Sequence, residues 1–120
     1  MVATPEQVED FLKLIREKLK VFGIVYRPRD KNLDALAELD IIPSLRDHYI
    51  SKLTFENYYT GPNNDTFDQK KPDYYEFGTE IKGVKVYIKL ALNLSGKPVD
   101  CMSFHKAERE IIYPLKGKTK

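Results

Sequence analysis

Two alternating segments near the C-terminus carry side chains able to do chemistry. One is Val84-Lys85-Val86-Tyr87-Ile88-Lys89-Leu90-Ala91-Leu92; the other is Val99-Asp100-Cys101-Met102-Ser103-Phe104-His105, followed by Lys106, Glu108 and Arg109. A strand repeats every two residues, so Val84, Val86, Ile88, Leu90 and Leu92 share one face and Lys85, Tyr87, Lys89 and Ala91 the other. Paired as a hairpin, the segments bring His105 and Arg109 near the start of the first strand. Imidazole, phenol, ammonium, carboxylate and guanidinium then lie within reach of one another, with no metal-ligand spacing among them. That set suits a phosphodiester.

RNA can be cut by its own 2′-hydroxyl attacking the adjacent phosphate. A protein must remove that proton, neutralise charge on the phosphorane-like transition state and protonate the leaving 5′-oxygen. Histidine suits either proton step. Lysine and arginine supply positive charge, arginine as a fork. A tyrosine donates to a phosphate oxygen or stacks on a base. His105 is therefore the candidate general acid or base. Lys89 and Arg109 are the candidates to bind the scissile phosphate, and Tyr87 to position phosphate or base. Glu108 either orients His105 or acts as the base. Lys85 and Lys106 are candidates to contact substrate, and the Tyr58-Tyr59 and Tyr74-Tyr75 pairs to stack on bases, with one member of each pair buried instead. Blander roles stand beside these: Tyr87 and Lys89 on a solvated strand face, Glu108 paired with a neighbouring cation, His48 at a helix surface, Cys101 as a small buried hydrophobe.

The elements that must position these groups are legible in outline. Thr4, Pro5 and Gln7 form a capping-box start to a helix. Val8, Phe11, Leu12, Ile15, Leu19 and Phe22 continue it at helical spacing, and Gly23 stops it. Ile24-Val25-Tyr26 reads as a short strand or connector, and Arg27-Pro28-Arg29-Asp30 as a charged turn. A short helix follows from about Asn32 to Leu39, with Leu33, Leu36 and Leu39 inward. Another runs from Ile42-Pro43-Ser44 to about Lys52, with Leu45, Tyr49 and Leu53 inward. Thr54 caps a brief turn, and residues 61–72 read as a polar loop. Asp65, Asp68 and Asp73 lack the spacing of a calcium loop. Residues 73–80 read as a strand, Gly83 as a turn, and Ile111–Leu115 as a last strand or extended segment. Helices first and strands later predict an α+β fold: an antiparallel sheet with N-terminal helices packed on one face.

The chain has 120 residues, 42% hydrophobic and 32% charged, enough for one domain with a real core. No apolar run reaches the roughly 18 residues of a membrane span, and no secretory leader is evident. A single cysteine forms no internal disulfide, which points to a reducing, cytoplasmic setting. The net charge of +2 is unevenly spread. Residues 1–53 balance to 0, residues 54–80 to −4 and residues 82–120 to +6. The positive third coincides with the two chemical strands, and a local basic field attracts polyanions. Lys116, Lys118 and Lys120 read as a frayed end of it. There is no glycine-rich phosphate loop, zinc spacing or nucleophile elbow.

Three pieces together carry a family resemblance. Leu53-Thr54-x-Glu56-Asn57-Tyr58-Tyr59-x-Gly61-Pro62, Val86-Tyr87-Ile88-Lys89-Leu90 and Cys101-x-Ser103-Phe104-His105-x-Ala107-Glu108 resemble MqsR-like toxins of type II toxin–antitoxin systems. Tyr75-Glu76-Phe77-Gly78, ahead of the second piece, fits the same pattern. The resemblance implies a RelE-like α+β fold, metal-free cleavage of mRNA without a cofactor, and a cognate antitoxin that neutralises the enzyme. The ribosome is a candidate further partner. The family's strand tyrosine and lysine match Tyr87 and Lys89. A family lysine falls at His105, another at Thr60, and a family glutamine near Glu76, which joins Tyr75 as a substrate-binding candidate. The alternatives are a non-catalytic RNA- or protein-binding module with the toxin fold, and a general RNA-binding domain.

Overall fold

A computed structural model describes residues 2–64 and 71–119, so Asp65, Asp68 and Lys120 lie outside the described residues. The architecture is α+β. Among the described residues three α-helices pack with a five-stranded mixed sheet in the strand order β1-β5-β4-β3-β2; β1 falls between the first and second helices and the other four strands follow the third. The helices are α1 (Pro5–Phe22), α2 (Asp30–Glu38) and α3 (Leu45–Ser51). The strands are β1 (Ile24–Tyr26), β2 (Tyr58–Asn63), β3 (Tyr74–Ile81), β4 (Val84–Ala91) and β5 (Val99–Lys106). Strands β2 to β5 pair antiparallel, as expected. The short β1 adds to β5 in parallel, a connection that alternation within single strands does not reveal.

The capping box forms: Gln7 N–H donates to Thr4 Oγ1 at 3.1 Å, and Thr4 N–H to Gln7 Oε1 at 2.9 Å. Val8, Phe11, Leu12 and Ile15 of α1 are buried, whereas Phe22 is 47% exposed beyond the last covered turn. Phe11 stacks on Tyr75 with centroids 4.1 Å apart, which seats α1 on one face of the sheet. Val86, Ile88, Leu90, Phe77, Cys101 and Phe104 complete that face, and Ala35, Leu39 and Ile50 cover it from α2 and α3. Burial of Phe77, Ile88 and Leu90 alone is worth about 1.5–3 kcal/mol each.

Helix α2 starts earlier than its leucines suggest and turns a different stripe inward. Asn32, Ala35 and Leu39 are buried, and Leu33 is 50% exposed. The reason lies in the sheet: β1 pairs only with Val99 to Cys101, so the rest of β5 has an open edge. The Asn32 amide fills it, donating to the Met102 carbonyl at 3.3 Å and to the Arg27 carbonyl at 2.9 Å. Its carbonyl accepts from Phe104 N–H at 3.0 Å. A buried asparagine stands in for a missing strand. In α3, Arg46 is buried where Leu45 and Tyr49 are only partly so. Its guanidinium lies 3.7 Å from the centroid of the Tyr26 ring.

Residues 61–63, read as the start of a loop, belong to β2. Gly61 has φ +125°, and a Cβ there would fall 2.9 Å from Tyr75 Cα. Pro62 lacks an N–H, which an edge strand tolerates. Ile111–Leu115 forms no strand. This segment crosses the sheet at Gly78, where a Cβ would fall 2.6 Å from the Tyr113 hydroxyl and 2.8 Å from Ile111 Cδ1.

Candidate active site

The sheet face opposite the helices carries the chemistry, and strand register decides what meets there. Glu76 stands opposite Lys89, and Lys89 opposite Ser103. One step along, Gly78 stands opposite Tyr87, and Tyr87 opposite His105. Opposed antiparallel residues share a face with Cβ atoms about 4.5–5.5 Å apart. Three strands therefore present two adjacent rows of side chains. A bulge in β5 makes the rows possible. Lys89 pairs with Ser103 but Leu90 with Cys101, which leaves Met102 as the extra residue. Strict alternation would have turned His105 to the same face as the buried Cys101.

Over these rows lies a cavity of about 300 Å³. Its floor is Glu76, Tyr87, Lys89, Ser103 and His105; Tyr59 lines it from β2. Arg29 and Lys31 line it from the turn and first residues of α2, and Ala107, Glu108, Arg109 and Ile111 from the segment after β5. The imidazole at 105 and the cations at 89 and 109 thus share one concavity. Four cations face two carboxylates in the lining.

His105 is 8% exposed. Its Nδ1 lies 2.9 Å from the Lys106 carbonyl oxygen. A carbonyl only accepts, so Nδ1 carries the proton, and Nε2 of the neutral ring is the acceptor left for a substrate. The ring lies beside Tyr87, with centroids 5.3 Å apart. The Tyr87 hydroxyl donates to Glu76 Oε2, and the Thr60 hydroxyl donates to Oε1. Asn63 in turn donates to Thr60 Oγ1 at 2.9 Å. Burial, then the bond to Glu76, holds the Tyr87 phenol well above its ordinary range. It therefore stays a donor. Lys89 Nζ lies 4.1 Å from the centroid of the Tyr74 ring, a cation–π contact beside the cavity.

Four expectations change. Glu108 does not orient His105; the Lys106 carbonyl does that. Its carboxylate instead takes Lys31 Nζ at 2.8 and 2.9 Å, with both side chains more than half exposed. The Lys31 hydrogen bond, with His105 and Arg109 adding, holds that carboxyl below its ordinary range, which makes it a weak base. Lys106 lies opposite the buried Val86 and pairs with Glu38 at 3.3 Å, away from the cavity. Tyr75 faces the core against Phe11. Lys85 shares the chemical face but is exposed and outside the cavity lining. His48 is an exposed residue of α3, far from these rows in the fold.

Tyr59 lines the site while Tyr58 is buried, as the division of that pair between substrate and core leads one to expect; Arg29, Lys31 and Ser103 enter it without a role having been assigned from the chain. The Arg27–Asp30 charge cluster was visible, but nothing local ties it to residues more than 70 positions later. The buried asparagine makes that tie. Comparison of the chain with protein-family models, curated proteins and solved structures returns no match.

Proposed function

We propose that the cavity is the cutting site of an endoribonuclease, and that the protein is the toxin of a type II toxin–antitoxin system with a RelE-like fold. The substrate is mRNA. A cognate antitoxin would neutralise the enzyme by covering the cationic cavity or by adding a strand to a sheet edge. The ribosome is a candidate partner, and the setting proposed is cytoplasmic, which the single buried cysteine suits.

One observation carries the reading: a buried histidine, its tautomer fixed by a backbone carbonyl, lines a cavity with four cations. In the proposed reaction Nε2 of neutral His105 accepts the 2′-hydroxyl proton as the 2′-oxygen attacks phosphorus. The P–O5′ bond breaks, leaving a 2′,3′-cyclic phosphate, and the imidazolium returns the proton to the departing 5′-oxygen. Lys89 and Arg109 stabilise charge on the non-bridging oxygens. Glu76, held by the hydroxyls of Tyr87 and Thr60, orients the phenol at the floor. It, rather than Glu108, is the carboxylate on the floor beside the proposed scissile phosphate.

The test is expression of wild type and His105→Ala with mapping of cellular RNA ends. Acid–base help is typically worth about 10²–10⁴-fold. The variant should lose that much cleavage and the associated growth arrest, with an unchanged circular-dichroism spectrum. A folded His105→Ala protein that cuts at the wild-type rate removes this mechanism.

The second reading is a module that binds RNA or protein without cutting. It is favoured by Thr60, whose hydroxyl is engaged with Glu76 where the family has a lysine. That reading expects RNA binding with no new RNA ends.

A further inference from the structure

The Lys31–Glu108 pair joins the two walls of the cavity. Lys31 comes from the first residues of α2, beside Arg29; Glu108 comes from the segment after β5, beside Arg109. The pair is double-bonded yet exposed: Lys31 Nζ reaches both carboxylate oxygens, at 2.8 and 2.9 Å, with side chains 54% and 58% exposed. Exposed pairs of this kind contribute little to folding. They are cheaply exchanged for another anion, and a phosphate oxygen makes the same charge-assisted bond to lysine as a carboxylate does.

The surroundings of Glu108 are those of an anion site. Lys31, His105 and Arg109 all act to keep its carboxyl ionised. Lys89 and His105 come instead from the paired strands β4 and β5 that form the floor. The cavity therefore offers two cationic stations: a floor station at Lys89 and His105, and a mouth station at Arg29, Lys31 and Arg109. Each station has a carboxylate beside it, but Glu76 at the floor is taken by the hydroxyls of Tyr87 and Thr60, whereas Glu108 at the mouth is bonded to a cation of its own station.

Building on the reading of the cavity as a nucleic-acid site, we infer that the mouth is a second phosphate subsite, occupied by Glu108 until substrate displaces it. The ligand class is then a strand with at least two consecutive phosphates. The scissile phosphate lies at the floor, and its neighbour takes Lys31 from Glu108. A ligand with one phosphate fills the floor and leaves the pair closed.

The experiment titrates the whole protein with a deoxydinucleotide carrying one internal phosphate and a deoxytrinucleotide carrying two, followed by amide NMR shifts. Wild type should bind the trinucleotide more tightly. Glu108→Gln should tighten the trinucleotide by roughly two- to five-fold, the scale of one exposed ion pair. It should change dinucleotide affinity by less than half of that. Lys31→Gln should abolish the trinucleotide's advantage. Equal tightening of both ligands by Glu108→Gln, an advantage that survives Lys31→Gln, or no binding of either ligand overturns the subsite. Neither ligand has a 2′-hydroxyl, so scission plays no part in the result. A protein that shows this pattern but leaves RNA intact keeps the subsite and loses the cleavage reading. A protein that cuts RNA without the pattern does the reverse.

Discussion

At the scale of single residues, the floor of the cavity is a register effect. Tyr87 and Lys89 were legible because alternation assigns faces before any fold is known; His105 stood out by its chemistry alone, since alternation places it with Cys101. Their neighbours were not. Lys106 and Glu108 follow His105 directly in the chain, but their partners are Glu38 and Lys31, and Lys31 is 77 positions from Glu108. Sequence adjacency suggested a shared role beside His105; pairing with α2 took Lys106 away from the cavity and set Glu108 at its mouth. The Tyr87 hydroxyl illustrates the opposite case, a group whose partner is on the next strand. Tyr87→Phe removes the donor to Glu76 Oε2 and should cost about 1 kcal/mol of stability in urea unfolding. Its cleavage loss should be smaller than that of His105→Ala, because the phenol moves no proton in the proposed reaction. An equal loss in both variants would give Tyr87 the proton step.

At the scale of elements, β5 departs from the simple strand that its sequence suggests. The helix spacing of α1 and the run of β4 were readable because each repeats its period without interruption. In β5, the single bulged residue resets the phase between Cys101 and Ser103, and no composition signal marks it. The second departure is Asn32, a polar residue on an inward stripe that leucine periodicity assigned to Leu33. Its amide closes the open half of β5 and holds Arg29 and Lys31 against the cavity. Asn32→Ala strips the Phe104 N–H and the Met102 carbonyl of a buried partner, an expected loss of about 1–3 kcal/mol. Hydrogen exchange at the Phe104 amide should accelerate more than at Ile88 on the neighbouring strand. Uniform acceleration across the sheet would show that Asn32 supports the fold generally rather than this edge.

For the whole molecule, the uneven charge read from the chain becomes a cavity with a cationic lining, and one buried and two half-buried acids set the alkaline limit of the fold. Burial raises Cys101, whose ordinary value is 9.0. Burial and hydrogen bonds to Glu76 and Asp47 raise Tyr87 and Tyr26, ordinarily 10.0. The unfolded chain releases these protons first, so it binds fewer protons than the folded one above those values. Stability is then fully present below about pH 9 and falls as pH rises further. Urea midpoints measured against pH should decline from there, and Cys101→Ala should move the onset up towards pH 10; an unchanged onset would exclude the thiol as the first group. The pairing of β1 with β5 has a consequence for synthesis. One wall of the cavity is made in the first third of translation, but the imidazole arrives only with the last strand. A nascent polypeptide halted before that strand lacks His105 and Ser103, and the floor consists only of what β3 and β4 supply. The proposed cleavage would therefore begin only once β5 is in place.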